Sequence, residues 1–162
     1  MIKFKQHSSI YTLTTEQQLN ISINQAWTFF SIATNLQKIT PPYMNFKITS
    51  ELAKNIYSGQ IISYEVTVMP AVKLNWITEI TQVKFKEFFI DEQRFGPYRM
   101  WHHEHSFLKI SDKKTLVKDK VSYKIPLGIL GHLAQIIFVK KQLTTIFNYR
   151  RLRLEEIFNQ SN

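Results

Sequence analysis

Hydrophobic and polar residues along the chain follow two different periods. Residues 9–21 mix β-branched and aromatic side chains with polar ones, which predicts a first strand. Ser22 or Asn24 provides an N-cap, and apolar residues at helical spacing follow over 26–32. A second short helical segment at 35–39 ends before two consecutive prolines, because proline disfavours helix at the residue before it. The N-terminal region is therefore predicted to contain one strand and two short helices.

The period changes to two between Tyr43 and Ile125, which is typical of strands with one buried face. The connections between the alternating segments are short, which favours an antiparallel meander. The predicted strands lie at residues 46–50, 62–68, 74–80, 84–93, 101–107 and 117–125.

The pattern becomes helical again after Pro126 and Gly128. Residues 130–158 carry an apolar stripe wide enough to face a core, and a helix of that length spans about 40 Å. A curved sheet wrapped around this helix would bury both apolar surfaces. The sequence thus predicts a single α+β domain over residues 1–162. It would have about seven antiparallel strands (one strand, two short helices, six strands) and a long C-terminal helix.

Composition limits the possible chemistry. The absence of cysteine excludes disulfides, thiolate metal sites and cysteine nucleophiles. Four glycines are too few and too scattered for a phosphate-binding loop. The formal charge of +9 comes from Lys and Arg residues spread along the chain, which are interpreted as solvated faces. Neither a signal peptide nor a transmembrane segment is apparent, so a cytoplasmic protein without a clear nucleic-acid motif is expected.

The segment 95–107 holds three of the five histidines. Residues two apart on a strand share a face. Trp101, His103, His105 and Phe107 therefore lie on one face, while His102, Glu104 and Ser106 lie on the other. The first of these faces is aromatic with two imidazoles, which makes it the candidate site.

Asp119 is the predicted partner of these imidazoles. A tight hairpin at 111–114 sets His105 opposite Asp119 or one step from it, within hydrogen-bonding reach. An inward carboxylate needs such a partner, because burying it unpaired is costly. The pair is either a satisfied polar contact inside the sheet or a polar anchor for a ligand headgroup in an apolar pocket.

Two further chemistries use the same residues. Two histidines on one strand face supply two metal ligands, Asp119 could be a third, and His132 a distant fourth. No clear group completes this set, so no metal or cofactor is predicted. A histidine oriented by Asp119 could also act as a general acid or base. Arg94 and Arg99, near the strand edge, are expected to be solvated. The candidate ligand-binding residues are Tyr64, Trp76, Tyr98, Trp101, His103, His105, Asp119 and Tyr123.

Three sequence blocks carry a resemblance to a known superfamily. They are residues 35–42, the pattern Gly-Pro-Tyr-x-x-Trp-x-His-x-His-x-Phe over 96–107, and residues 119–128 continuing to 146–150. Together with the order of elements, they resemble the START-like or SRPBCC superfamily with its helix-grip, Bet v 1-like fold. More narrowly, they resemble an uncharacterised bacterial branch of it.

The resemblance implies an internal cavity between the sheet and the long helix. Relatives with this fold include lipid and sterol carriers and polyketide cyclases, so the fold alone does not choose a function. We expect a non-catalytic protein that binds a small hydrophobic or amphipathic molecule. The alternatives are a cyclase- or dehydratase-like enzyme that uses a pocket histidine as acid–base, and a protein or RNA interaction module that acts through its basic surface.

Overall fold

A computed structural model describes residues 1–69, 72–126 and 135–159 of the chain. Two strands come first, followed by one α-helix and two 3-10 helices, six more strands and a C-terminal helix. The strands are β1 (Lys3–His7), β2 (Ile10–Leu19), β3 (Lys47–Ile48), β4 (Gln60–Met69), β5 (Val72–Lys84), β6 (Phe88–Phe95), β7 (Met100–Ser111) and β8 (Lys114–Lys124). The helices are α1 (Ile23–Phe30), 3-10 helices at Ala33–Ile39 and Pro42–Met44, a π-helical turn at Gln135–Val139, and α2 (Lys140–Phe158).

The strands of the described ranges form one antiparallel sheet in the order β1-β2-β8-β7-β6-β5-β4-β3. Strands β4 to β8 pair with their neighbours in the chain, so the predicted meander is confirmed. The last strand, β8, also pairs with β2, which connects the N-terminal hairpin to the meander. The predicted α+β class, with a curved sheet and a C-terminal helix, is therefore confirmed.

The N-terminal region contains one strand more than predicted. The predicted first strand is β2, and β1 precedes it in a hairpin that pairs His7 with Ile10. Ser8 and Ser9 form the connection, and Ser8 has a positive φ of 55°. Serine is not the usual residue for that conformation, so this hairpin is not apparent from the amino-acid pattern. The sheet consequently has eight strands in the described residues rather than about seven.

The region around the prolines also differs from expectation. The second helical segment is a 3-10 helix that ends at Ile39, with another 3-10 turn beginning at Pro42. Asn45 then adopts a left-handed conformation with φ 42°, which shortens the strand predicted at 46–50 to the two residues of β3. At α1, Ser22 rather than Asn24 is the N-cap, and it forms a capping box with Gln25.

Helix α2 packs on the sheet through a narrow stripe. Its buried residues are Leu143, Phe147, Arg150 and Leu154, spaced as one helix face. Gln142 Nε2 donates a 2.6 Å hydrogen bond to the backbone oxygen of Val68 and so ties the helix to β4. The part of the predicted long helix before Gln135 lies outside the described residues. Among the helices described, none has the length and apolar character needed to cross a membrane.

Three apolar clusters form the core in the described part of the chain. One packs α1 on the sheet through Trp27, Phe89 and Phe107. A second joins β2 and β8 to α2, and a third lies between β4 and β5. Residues of all three clusters line the same internal cavity, so the core is arranged around an open space.

Candidate functional site

The cavity has a volume of about 510 Å³. Its wall combines the inner face of β4 to β7, the first 3-10 helix and one face of α2, and most of the lining side chains are aliphatic or aromatic. Pockets of roughly 300–1,000 Å³ with apolar walls are the usual size for small-molecule sites. The space therefore suits a ligand of small-molecule size.

Five charged or titratable side chains meet at one part of this cavity. We call them the histidine–carboxylate cluster, and they come from four elements: Asp91 (β6), His103 and His105 (β7), Asp119 (β8) and Arg150 (α2). The strand register brings them together, because His103 pairs with Asp91 on one side and His105 pairs with Asp119 on the other. The predicted pairing of His105 with Asp119 is confirmed.

Each imidazole of the cluster lies between the two carboxylates. His103 Nε2 is 2.9 Å from Asp119 Oδ1, and His103 Nδ1 is 3.5 Å from Asp91 Oδ2. His105 faces them with the opposite nitrogens, since its Nε2 is 2.9 Å from Asp91 Oδ2 and its Nδ1 is 3.0 Å from Asp119 Oδ1. The last approach has the wrong angle for a hydrogen bond, so Nδ1 of His105 is a buried atom without a hydrogen-bond partner in the described chain.

Arg150 completes the cluster from the helix side. Its Nη1 donates a 3.2 Å hydrogen bond to Asp119 Oδ1, and its guanidinium lies 4.9 Å from the ring centre of Phe147. The residue is only 8% exposed, although it bears a permanent charge. A buried guanidinium requires a paired carboxylate, and Asp119 meets that need.

Both carboxylates are ionised in this environment. Burial is the largest influence on Asp119 and opposes its charge, but Arg150 and the two imidazoles outweigh it and hold the pKa well below the usual range. For Asp91, burial again opposes ionisation, yet His103, His105 and Arg150 together lower its pKa. The cluster therefore contains two buried negative charges beside one fixed positive charge.

The pKa values of the two imidazoles are shifted in opposite directions. Burial and the neighbouring His105 lower the pKa of His103, and the two carboxylates do not fully offset this. Burial also disfavours a charge on His105, but its contacts with Asp119 and Asp91 outweigh that effect and raise its pKa. As the pH falls, His105 is therefore the imidazole that takes up a proton first.

Aromatic rings fix the position of these imidazoles. Phe89 stacks on His105 with ring centres 4.3 Å apart, and the two imidazole centres are 3.7 Å apart. Trp101 meets His103 edge-on at 6.2 Å. Such packing leaves each imidazole one position, so the nitrogen atoms keep the same neighbours.

Comparison with solved structures places the chain among proteins of one fold. The Mycobacterium smegmatis protein Ms6760 aligns over 97% of this chain and 98% of its own, with a TM-score of 0.66 and 14% identity. A START superfamily protein from the same organism covers 90% of this chain and 98% of its own (TM-score 0.66, 11% identity). A norcoclaurine synthase point mutant from Thalictrum flavum covers 94% and 99% (TM-score 0.65, 12% identity).

The chain has a START-like fold. This confirms the fold that the sequence blocks imply. Comparisons with protein-family models and with curated proteins gave no match. The START-like fold of this chain therefore rests on structural similarity at low sequence identity, and its function has to be argued from the site itself.

The START-like fold positions the predicted site residues in two layers. Six of the eight line the cavity, namely Tyr64, Trp76, Tyr98, Trp101, His103 and His105. Asp119 and Tyr123 lie behind that wall, where Asp119 contacts the imidazoles and Tyr123 packs on Tyr98 and Trp101. His102 points away from the cavity, as predicted, and its Nδ1 is 2.7 Å from Glu92. Arg94 and Arg99 are exposed, as expected.

Two members of the cluster were not identified from the sequence. Asp91 has the same strand parity as the inward Phe89, but the sequence does not fix the register of β6 against β7. Arg150 belongs to a group of basic residues interpreted as solvated, and that interpretation is wrong for this position. Its spacing from Leu143, Phe147 and Leu154 is the signal that it lies in the buried stripe. His132, considered as a metal ligand, lies outside the described residues.

Proposed function

We propose that the protein binds a small amphipathic molecule in this cavity, with its polar end at the histidine–carboxylate cluster. The observation that carries the proposal is the distribution of charge along the wall. Among the described lining residues, the charged or titratable side chains near neutral pH are Asp91, Arg150 and the two histidines, and all of them belong to the cluster, while the others are apolar or neutral. A ligand with one polar end and an apolar body matches that distribution.

The side chains of the cluster indicate which functional group the polar end of the ligand carries. Asp91 and the imidazoles line the cavity, and the Asp91 side chain retains 17% exposure. A carboxylate accepts hydrogen bonds, whereas a guanidinium donates up to five of them. A hydroxyl group can use both, because it donates to Asp91 and accepts from Arg150, which also lines the cavity. The proposed ligand is therefore an apolar molecule that carries a hydroxyl or a comparable donor–acceptor group.

A structural relative supports a ligand of this size. Norcoclaurine synthase from Thalictrum flavum is described in complex with dopamine and hydroxybenzaldehyde, and that structure covers 90% of this chain with a TM-score of 0.60. Both molecules are small aromatic compounds with hydroxyl groups. The same architecture thus accommodates ligands of the class proposed here.

Native mass spectrometry of freshly purified protein tests this proposal. A matched pair of variants locates the ligand: Ala33 lines the cavity, whereas the adjacent Thr34 is exposed. We expect a bound small molecule on the wild type and on Thr34→Trp, and much less of it on Ala33→Trp, because the indole takes up part of the cavity. Undiminished retention of the same molecule by Ala33→Trp would place it elsewhere and contradict the proposal.

Acid–base catalysis of a cyclisation or dehydration is a second candidate. The observation that favours it is that two imidazoles, each held between carboxylates, line an apolar cavity. Positioned imidazoles of this kind can transfer protons to and from a bound substrate. The test compares the extracted ligand before and after incubation with the wild type and with His103→Asn and His105→Asn. Conversion by the wild type that both variants retain would exclude this role.

A further inference from the structure

Three metal-ligating side chains converge on one point of the cavity wall. One donor atom from each of Asp91, His103 and His105 lies within 4.8 Å of the others. Asp91 Oδ2 is 2.9 Å from His105 Nε2 and 3.5 Å from His103 Nδ1. In a tetrahedral zinc site with bonds of about 2.0–2.1 Å, ligand atoms are separated by roughly 3.3 Å. Both oxygen–nitrogen distances are thus near the spacing that one ion requires, and the two nitrogens lie within 4.8 Å of each other.

The opposite side of both imidazoles is also arranged as in a metal site. Metal-binding histidines usually direct their second ring nitrogen at a carboxylate, which fixes the ring orientation. Here the nitrogens that do not face Asp91, His103 Nε2 and His105 Nδ1, lie 2.9 and 3.0 Å from Asp119 Oδ1. Asp119 is in turn bound by Arg150 at 3.2 Å. One buried carboxylate therefore holds His103 by a hydrogen bond and lies beside Nδ1 of His105, while the other nitrogen of each ring faces Asp91.

The charge of the cluster favours a bound cation. With both imidazoles neutral, Asp91 and Asp119 carry two negative charges and Arg150 carries one positive charge. Without a proton, His105 Nε2 and His103 Nδ1 present lone pairs to Asp91 Oδ2 at 2.9 and 3.5 Å. Three electron-pair donors at this distance repel each other unless a cation lies between them. That position is filled by a proton or by a metal ion.

We propose that Asp91, His103 and His105 bind one divalent transition-metal ion, with Asp119 as the outer carboxylate. Two imidazoles and one carboxylate suit ions such as zinc or iron(II). All three ligands line the cavity, so further coordination positions face the space assigned to the small molecule. The metal site goes beyond the ligand-binding function and does not depend on it, since its ligands belong to this chain alone.

Titration of ligand-free, chelator-treated protein with Co²⁺ or Zn²⁺ tests the site. We expect one ion per chain, with cobalt d–d absorption bands of a low-symmetry site. Asp91→Asn removes a ligand and should cost more than the roughly 10–100-fold loss of affinity expected for the outer-shell variant Asp119→Asn. The matched control is His102→Gln, on the same strand but directed away from the cavity towards Glu92. It should bind the ion like the wild type.

A measurement on the wild type covers the case in which cluster variants do not fold. Long-range ¹H–¹⁵N spectra of the imidazoles report each ring nitrogen. Zinc should shift His103 Nδ1 and His105 Nε2 and leave the His102 nitrogens unchanged. Absence of stoichiometric binding, or shifts confined to His102 and the exposed His7, would mean that only a proton occupies the cluster. Neither result affects retention of a small molecule by the metal-free protein, so the two proposals fail separately.

Discussion

Asp119 is the residue on which the polar cluster depends. Its Oδ1 atom has three neighbouring nitrogens within 3.2 Å, from both imidazoles and from Arg150. Desolvating a carboxylate and a guanidinium costs several kcal/mol each, and their attraction roughly repays that cost. The intact pair therefore adds little net stability. Removal of one partner destabilises the fold, because it leaves a buried charge without a counter-charge.

We expect Arg150→Met to destabilise the protein by about 3–5 kcal/mol, since Asp119 would lose its permanent counter-charge while the helix stripe stays apolar. Arg151→Met is the matched control, because this neighbouring arginine is exposed. Its effect should stay within about 0.5 kcal/mol. Urea denaturation of both variants measures the difference. Equal effects of the two substitutions would show that Arg150 is not a buried ionic partner.

The depressed pKa of Asp119 predicts a loss of stability in acid. A carboxyl group whose folded pKa lies below the ordinary value of 3.8 stabilises the fold fully above that pH. The contribution disappears as the pH falls through the lower folded pKa. The unfolding free energy of the metal-free wild type should therefore fall more steeply below about pH 4 than that of Asp119→Asn. Asp91 contributes in the same direction to both proteins. If the unfolding free energies of the two proteins fell in parallel with pH, the depressed pKa of Asp119 would be contradicted.

At the scale of elements, the sequence predicted the β7–β8 half of the site but not the β6 half. Strands β7 and β8 are joined by two residues, and a register shift between Lys109 and Ser111 sets His105 opposite Asp119, one of the two positions that the sequence allows. Strands β6 and β7 are joined by four residues, and their pairing begins only at Glu92 and His102, inside the ends of both strands. Longer connections and bulges change which residues face each other, and neither is visible in the alternating pattern. Asp91 was missed for this reason.

The turn of the N-terminal hairpin is a second feature that the sequence pattern does not predict. A two-residue hairpin loop with positive φ at its first position favours glycine there, as in a type II′ turn. Ser8 occupies that position with φ 55°. The hairpin therefore forms without the usual turn residue and without its sequence signal.

Replacement of Ser8 by glycine should stabilise the hairpin by about 0.5–1 kcal/mol, because glycine adopts positive φ without steric cost. Ser9→Gly is the matched control, since Ser9 is the other loop residue and does not have positive φ. It should be neutral or slightly destabilising, because glycine adds conformational entropy to the unfolded chain. Amide hydrogen exchange of β1 residues measures both effects locally. Protection that rises in Ser9→Gly and not in Ser8→Gly would contradict the explanation.

At the scale of the whole molecule, the cavity links stability to binding. The chain leaves about 510 Å³ of largely apolar space inside the core. Side chains around an unfilled space lose the contacts that a packed core provides. A molecule that enters it restores those contacts and stabilises the folded state alone, by an amount set by its concentration relative to its dissociation constant.

This linkage predicts a thermal shift that depends on the cavity. An amphipathic probe such as 1-anilinonaphthalene-8-sulfonate, at about 100 times its dissociation constant, should stabilise the ligand-free protein by about 2.7 kcal/mol. For a chain of this size, that corresponds to a rise in Tm of about 5–10 °C. Thr34→Trp should show the same rise, and Ala33→Trp should show little, because its indole already fills part of the space. The free Ala33→Trp protein should melt no lower than the wild type, since an added apolar ring inside an existing cavity gains contacts without displacing packed neighbours.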